Sequence, residues 1–381
     1  MTTNWPKVRL GEVLRHRKEF IIIDDLQTYQ RPRVQLHAQG IVLRDRVHGA
    51  QIKTKKQQVC RAGEFLVAEI DAKVGGFGVV PPELDAAAVS GHYFLFVVNE
   101  HALDLRFLHW FIKTPAFREQ VAAQGSTNYA AIRPSDVLGY EIPLPPLAEQ
   151  RRIVARMEEL SAKIEEAARI RDEVEAEQEI LLAGAYRRIA ENAPRQPLGH
   201  VAPLIRRPVA VDPEKEYPQI AVRSFGRGTF HKPPLQGGAV TWQKPFRVEA
   251  GDILISNIKA WEGAIAVASD NDDGRVGSHR YLTCVPKPSV ATARFICFHL
   301  LTTEGLYEVG QASPGSADRN RTLSAKGLLQ IMIPVPSYEQ QLWFDKICHE
   351  VDALKLLQSE TTAELDALVP AILDRALRGE L

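Results

Sequence analysis

Apolar positions between Pro146 and Pro194 fall on alternating spacings of four and three: Ile153, Met157, Leu160, Ile164, Ala167, Val174, Leu181 and Ala185, with Arg171 and Gln178 on the same seam. A 3.5-residue period marks a supercoiled helix and not a helix lying on a sheet. The pattern returns near the end of the chain at Phe344, Ile347, Val351, Leu354, Leu365, Leu368 and Ile372, with Gln358 and Thr361 on the seam. Each seam therefore carries a polar interruption near its middle, which costs stability but can fix register. The spacing predicts two helices of roughly 35–40 residues, or roughly 50–60 Å. It also predicts that they pair antiparallel within one chain, as an intramolecular coiled coil.

The regions before each helix read differently. Short β-branched or aromatic runs, Glu64–Ile70, Tyr93–Val98, Asp252–Ile258 and Tyr281–Val285, alternate with Pro- and Gly-punctuated stretches. A helical pattern follows in each region, from about Leu105 to Ala123 and from about Ala293 to Val309. The fold class is therefore mixed α/β: two similar globular domains and two long helices, with a pseudo-two-fold internal repeat. The expected boundaries are 1–146, 147–193, 194–336 and 337–381.

The repeat can be read residue by residue. Ala62-Gly63-Glu64-Phe65-Leu66 pairs with Ala250-Gly251-Asp252-Ile253-Leu254, at an offset of 188. Leu10-Gly11 pairs with Leu198-Gly199, Ile70 with Ile258, Gly75 with Gly263, and Arg106-Phe107 with Arg294-Phe295 at the same offset. His92 falls opposite His279, one residue out of step, and Gly125-Ser126 opposite Gly315-Ser316, two residues further apart. Each copy leaves its globule through a Pro-x-Pro segment, Ile142-Pro143-Leu144-Pro145 and Ile333-Pro334-Val335-Pro336.

With 47 basic and 47 acidic residues the formal net charge is zero, so any affinity for nucleic acid has to arise locally. The charge is unevenly placed. Arg31, Arg33, Arg44, Arg46, Lys53, Lys55 and Lys56 cluster in the first globule. Arg206, Arg207, Arg223, Arg227, His231, Lys232, Lys244 and Arg247 cluster in the second, interleaved with Phe225, Phe230 and Trp242. Acidic residues concentrate on the helices, as in Glu158-Glu159 and Glu165-Glu166. Basic heads on acidic shafts suit phosphate neutralisation and counterion release at the heads. Between the copies, Glu69-Ile70-Asp71-Ala72-Lys73 stands against Asn257-Ile258-Lys259-Ala260-Trp261: the frame is kept and the side chains that could read a ligand change. Charge and position select as DNA-binding candidates Arg31, Arg33, Arg44, Arg46, Lys53, Lys55 and Lys73, then Arg206, Arg207, Arg223, Arg227, Lys232, Trp242, Asn257 and Lys259. Asparagine pairs bidentately with adenine and arginine with guanine.

Enzyme readings fare less well. Glu64, Asp71 and Lys73 loosely match an acidic-x-Lys nuclease cluster, but the second copy has Lys259 and Trp261 at the last two positions. No G-x-G-x-x-G, no Asn/Asp-Pro-Pro-aromatic segment and no G-x-x-x-x-G-K-[ST] loop occurs. His92 and His279 read as structural histidines. Cys60, Cys284, Cys297 and Cys348 are scattered, as reduced thiols of a cytoplasmic protein are. No apolar run has the length of a membrane span, and Met1 to Gly11 lacks a signal-peptide core.

The segment Ile142-Pro143-Leu144-Pro145-Pro146-Leu147-Ala148-Glu149-Gln150-Arg151-Arg152-Ile153-Val154, with its degenerate second occurrence at Ile333 to Gln341, resembles the exit from a target recognition domain in specificity subunits of type I restriction–modification systems. The order of recognition domain, helix, recognition domain, helix extends the resemblance over the whole chain. The resemblance implies a non-catalytic subunit whose two domains each read half of an asymmetric, bipartite DNA site. It implies that the paired helices set the unread gap and dock two adenine methyltransferase subunits, with Gln150, Arg151, Arg152, Gln340 and Gln341 as partner-binding candidates. It implies two further restriction/translocase subunits in a full complex. S-adenosylmethionine, ATP and magnesium are then expected in partner subunits, with no cofactor or metal on this chain. Lengthening each helix by four residues, near Arg171 and near Gln358, is expected to lengthen the gap and leave both half-sites unchanged. Two alternatives stay open: a specificity subunit serving a fused methyltransferase–nuclease partner, and a coiled-coil adaptor that binds no DNA.

Overall fold

The computed structural model describes residues 5–122, 131–240, 244–315 and 321–377. The chain forms two compact units, one from Met1–Arg171 with Ser359–Leu381, the other from Asp172–Gln358. Both boundaries fall inside long helices, a central one at Leu147–Ala190 and a C-terminal one at Tyr338–Leu377. Each unit thus contains one half of each helix and one globule.

In unit 1 a four-stranded antiparallel sheet runs in the order Leu14–Arg17, Tyr93–Val98, Phe65–Ala68, Phe77–Val79. Phe65–Ala68 has neighbours on both sides and is buried at every position, which is why its sequence is continuously apolar. The helices Leu105–Phe111 and Pro115–Ala122 supply Phe107, Phe111 and Phe117 to a core that also holds Phe65, Phe77 and Phe96. Phe77 and Phe117 meet edge to face with centroids 5.1 Å apart, a favoured aromatic geometry. A long hairpin, Thr28–Gln35 with Gly40–His48, and a short ribbon of Lys7–Arg9 with Glu141–Pro143 complete the globule.

Unit 2 repeats this plan. Ile253–Ser256 lies between Ile265–Val267 and Tyr281–Cys284, again buried throughout. The helices Ala293–Leu301 and Thr303–Gln311 follow, and Arg195–Pro197 with Met332–Pro334 forms the equivalent ribbon. The second hairpin, Glu216–Val222 with Thr229–Gln236, starts and ends 188 residues after the first.

One shared contact explains the shared glycines. Gly75 and Gly263 have φ of +82° and +76° and end single 3-10 turns. A Cβ on Gly75 would stand 2.7 Å from the Ala38 nitrogen, because the hairpin tip lies against this turn. The backbone N–H groups of His37 and Ala38 donate to the Val74 and Gly75 carbonyls, and those of Phe225 and Gly226 donate to Glu262 and Gly263. The two docked residues have positive φ in both units, from +58° to +64°.

The same bookkeeping corrects one pairing. Glu69 N–H donates to the His92 carbonyl, and Asn257 N–H donates to Arg280. His92 therefore corresponds to Arg280 at the unbroken offset, and His279 has Gly91 as its counterpart.

The long helices pair antiparallel within each unit. In unit 1, Ile153, Val154 and Met157 share a buried cluster with Val369, Ile372, Leu373 and Ala376. In unit 2, Leu182, Ala185, Tyr186 and Ile189 cluster with Phe344, Ile347 and Cys348. The same clusters include globule residues such as Phe107 and Phe295, so the helix ends are also part of each globule's core. The seam departs from the sequence reading in phase. Leu181, Leu354 and Leu368 are exposed, at 54%, 51% and 41%, and Thr361 is exposed too. Leu182, Lys355, Thr362 and Val369, each one residue later, face inward instead. A helix of 3.6 residues per turn drifts against a strict 3.5 repeat, and the shift absorbs that drift. The polar interruptions are present: Arg171 donates to the Thr362 hydroxyl at 2.6 Å, and Gln178 is buried with both amide atoms unpartnered.

Candidate nucleic-acid interface

Part of the basic cluster of each unit sits on the same element, the long hairpin and its turn. In unit 1, Arg31 and Arg33 lie on its first strand, Arg44 and Arg46 on its second. The strands lose register between Arg31 and Pro32, a bulge of the kind that re-aims side chains. Arg31 forms a two-pronged ion pair with Asp45, both bonds 2.8 Å. That pairing holds the Asp45 carboxyl below its ordinary range and raises Arg31. Arg44 is exposed and 3.5 Å from the same carboxylate. Arg33 and Lys53 are exposed, and Arg46 is exposed within 3.2 Å of the Gln30 amide oxygen. Lys55 pairs with Asp25 and donates to the Gly49 carbonyl, so it braces the base of the hairpin. Lys73 is half-buried on the turn that receives the hairpin tip.

In unit 2, Arg223 lies over Phe230 at 4.9 Å and Arg227 over Phe225 at 5.7 Å, both exposed at the hairpin's tip end. Arg206 lies over Phe246 at 5.0 Å. Stacking holds these guanidinium groups in place, and Arg223 also donates to the Thr229 carbonyl at 2.5 Å. Lys232 is exposed on the hairpin's second strand, and His231 beside it bonds Asp272 at 2.9 Å. Lys259 pairs with Glu262 at 2.6 Å and stands over Trp261. Asn257 is half-buried with its side-chain oxygen unpartnered. Trp242 lies outside the described residues.

Three sequence assignments change. Arg207 is not a surface cation: it clamps Asp252, which is 1% exposed, with bonds of 2.7 and 3.2 Å, and also pairs with Glu249. Unit 1 has the same device in Arg17 and Glu64. Glu64 Oε2 also accepts the Arg61 N–H at 2.8 Å, as Asp252 accepts the Glu249 N–H at 2.9 Å. Glu64 is therefore a structural carboxylate whose oxygens are already engaged, and the nuclease grouping with Asp71 and Lys73 loses its main ligand. Gln150 and Gln341 are 0% exposed and cannot meet a partner. Gln150 accepts from Asp104 N–H and donates to the Ala102 and Pro145 carbonyls, each at 2.8 Å. Gln341 makes the matching bonds to Thr292, Val290 and Pro336. Both glutamines tie the start of a long helix to the helix of the globule before it. Arg151 and Arg152 are exposed, near Asp104 and Glu149 respectively. Gln340 is exposed and forms a reciprocal cap with Ser337, which starts the C-terminal helix.

Sequence reasoning missed a cleft of about 200 Å³ in unit 2, between the second hairpin and the turn at Ser278–Tyr281. Gln219, Lys232, His279, Arg280 and Tyr281 line it. Its signal was the offset itself: kept at 188, it aligns Arg280 with His92 and Tyr281 with Tyr93. Matching histidine to histidine hid that. Tyr93 and Tyr281 are both held above the ordinary phenol range by burial. Elsewhere Cys60, Cys284, Cys297 and Cys348 are free and buried, and burial pushes the Cys284 thiol up to about 12. Among the described residues no helix is long and apolar enough to cross a membrane.

Comparison with known proteins addresses this architecture directly. The family model described as the type I restriction modification DNA specificity domain matches residues 2–176. The crystal structure of the HsdS subunit from Thermoanaerobacter tengcongensis is similar over 99% of this chain and 97% of its own, at 25% identity and a TM-score of 0.61. A structure described as the structural basis underlying complex assembly and conformational transition of the type I R-M system is similar over 99% of this chain and 98% of that chain, at 26% identity and a TM-score of 0.72. No curated protein sequence matches the chain. The family model ends within the central helix, but the structural likeness continues through the second unit, whose elements repeat those of the first. Residues 2–176 thus match a type I restriction modification DNA specificity domain, and over its whole length the chain has the fold of type I specificity subunits.

Proposed function

We propose that the chain is the DNA-reading, non-catalytic component of a type I complex, in which unit 1 and unit 2 each bind one half of an asymmetric bipartite duplex site. The observation that carries this reading is the equivalence of the two hairpins. Arg33, Arg44 and Arg46 on one, and Arg223, Arg227 and Lys232 on the other, are exposed cations on the same repeated element. Zero net charge does not oppose it, because the cations are gathered on the hairpins while several acids of the central helix pair along the helix itself, as in Arg156–Glu159–Lys163 and Glu166–Arg169.

The second part of the proposal is docking of two adenine methyltransferase subunits on the long helices, with restriction/translocase subunits joining in a full complex. Leu181, Leu342, Trp343 and Leu354 on the unit 2 helix halves are exposed large apolar side chains, which helix surfaces in water do not need. S-adenosylmethionine, ATP and magnesium then belong to those partners. A structure similar to this chain comes from work on assembly of the type I R-M system, which agrees with a partnered role.

The test is the salt dependence of duplex DNA binding by the chain with its methyltransferase partner. Six phosphate contacts give a slope of log K against log salt near about −5. A flat slope would mean that the hairpins do not grip a polyanion and would favour the adaptor reading.

A further inference from the structure

The unit 2 cleft has a composition that separates base reading from phosphate binding. Gln219 and Lys232 face one another across the hairpin ladder, and His279 and Arg280 come from the turn opposite. The turn is fixed locally: the Ser278 hydroxyl accepts the Arg280 N–H at 3.4 Å, and the Tyr281 hydroxyl accepts the Val222 N–H at 3.4 Å. The Gln219 amide nitrogen donates to the Pro233 carbonyl at 3.0 Å, which holds that side chain in one orientation. Among the described residues no carboxylate lines the cleft. Lys232 and Arg280 are exposed and have no ion-pair partner among the described residues. That distinguishes them from Arg207 and Lys259, which are already paired.

The duplicated frame supplies an internal comparison. Every half-site presents the same phosphates, so a position that grips phosphate has reason to keep a cation in both units. A position that reads a base has reason to change. At the first kind of position stand Arg44 and Lys232, both cations, both on the second strand of the hairpin. At the second kind stand His92 and Arg280. In unit 1, His92 bonds Glu69 at 2.7 Å, which brings a carboxylate to this place. In unit 2 the partner position is Asn257, and Arg280 carries a five-donor fork with no ion-pair partner among the described residues.

We infer that Arg280 is a specificity-determining residue that reads the major-groove edge of a guanine in the half-site bound by unit 2, and that Lys232 grips an adjacent phosphate. The inference rests on the DNA-binding reading above. Guanine offers two acceptors, O6 and N7, to a guanidinium fork, and the cleft holds donors with no carboxylate among the described residues to compete for them. In unit 1 the Glu69–His92 pair at the same place carries an acceptor, which suits an exocyclic amino group of cytosine or adenine instead.

The experiment selects duplexes from a randomised pool with the chain in complex with its methyltransferase partner, and reads the preferred motif by sequencing. Arg280→Ala is expected to lose about tenfold or more preference at one base position of one half-site, with the other half-site and the gap unchanged. Arg280→Lys keeps the charge and loses the fork; it should loosen the same position with the salt slope unaltered. Lys232→Ala should leave the motif intact and make the salt slope shallower by about one. Both positions are exposed, and thermal melts equal to the parent protein would confirm that the fold is intact. Uniform weakening by Arg280→Ala, or no change in the motif, overturns the inference. A parent complex that selects no bipartite motif would instead defeat the DNA-binding reading.

Discussion

Gln150→Leu tests whether the helix-start glutamines are internal anchors or partner contacts. Leucine nearly preserves the volume, so the loss is confined to hydrogen bonding. Gln150 makes three bonds of 2.8 Å with no exposure to water. The substitution leaves the Asp104 N–H and the Ala102 and Pro145 carbonyls without their partner. An orphaned buried group costs about 1–3 kcal/mol, and with all three near the lower end the sum is about 4 kcal/mol. For a unit of this size each kcal/mol lowers the melting temperature by about 2–4 °C, which gives a drop of about 8–16 °C. Scanning calorimetry of the free chain is the assay. The unit 1 transition should fall and the unit 2 transition should hold, with the pattern reversed in Gln341→Leu. A melting profile within a degree or two of the parent, with a defect seen only when partner subunits are added, would refute the anchor assignment and restore both glutamines to the docking surface.

Three further outcomes follow from the geometry. His299 is buried, bonds the Tyr186 hydroxyl at 2.7 Å and is pushed down to about 4, so the unfolded chain takes up a proton near pH 6.5 that the folded chain refuses; stability from this site is full above pH 6.5 and is lost as the pH falls toward 4, by up to about 3 kcal/mol. Urea melts of His299→Phe combined with Tyr186→Phe should show less acid sensitivity than the parent over that window, and equal sensitivity would rule the site out. Arg207→Ala strands the buried Asp252 carboxylate and should cost about 3–5 kcal/mol, whereas Arg223→Ala should leave the melt unchanged and weaken DNA binding; the opposite split would show the two arginines to be misassigned. Leu181→Glu with Leu354→Glu should leave the melt unchanged and reduce co-purification with methyltransferase, while a lowered melting temperature would return both leucines to the seam.

The frame was legible because it is written in residues whose roles are local. Gly75 and Gly263 mark backbone positions with positive φ, and the Pro-x-Pro exits mark helix starts. The continuous apolar runs at Phe65 and Ile253 mark strands paired on both sides. What the sequence hid depends on partners far along the chain. Arg206-Arg207 reads as a basic doublet, yet one arginine stacks on Phe246 and the other is clamped by Asp252, 45 residues away. Gln150 reads as a solvated helix residue because nothing nearby announces the Asp104 N–H that it accepts from. The coiled-coil seam was found but placed one residue out at Leu181, Leu354 and Leu368, since a run such as Leu181-Leu182 offers two phases and only packing selects between them.

The duplication also gives a criterion for separating scaffold from reader without any alignment. Where both units keep the same hydrogen-bond arrangement, the residue identities hold or change in step. Arg17–Glu64 and Arg207–Asp252 conserve a buried charge pair with a shorter acid, and Gln150 and Gln341 keep the same three kinds of partner. These groups are satisfied internally and have nothing left to offer a ligand. Where the frame is kept but the side-chain partners differ, as at Glu69–His92 against Asn257 and Arg280, packing does not dictate the residue. A buried polar group that changes must carry its partner with it, because an unmet bond costs free energy; a solvent-facing one can change alone. Independent variation on a fixed backbone is therefore the physical mark of a surface answerable to something outside the chain, and in this molecule it falls on the turn that carries His92 in unit 1 and lines the cleft at Arg280 in unit 2.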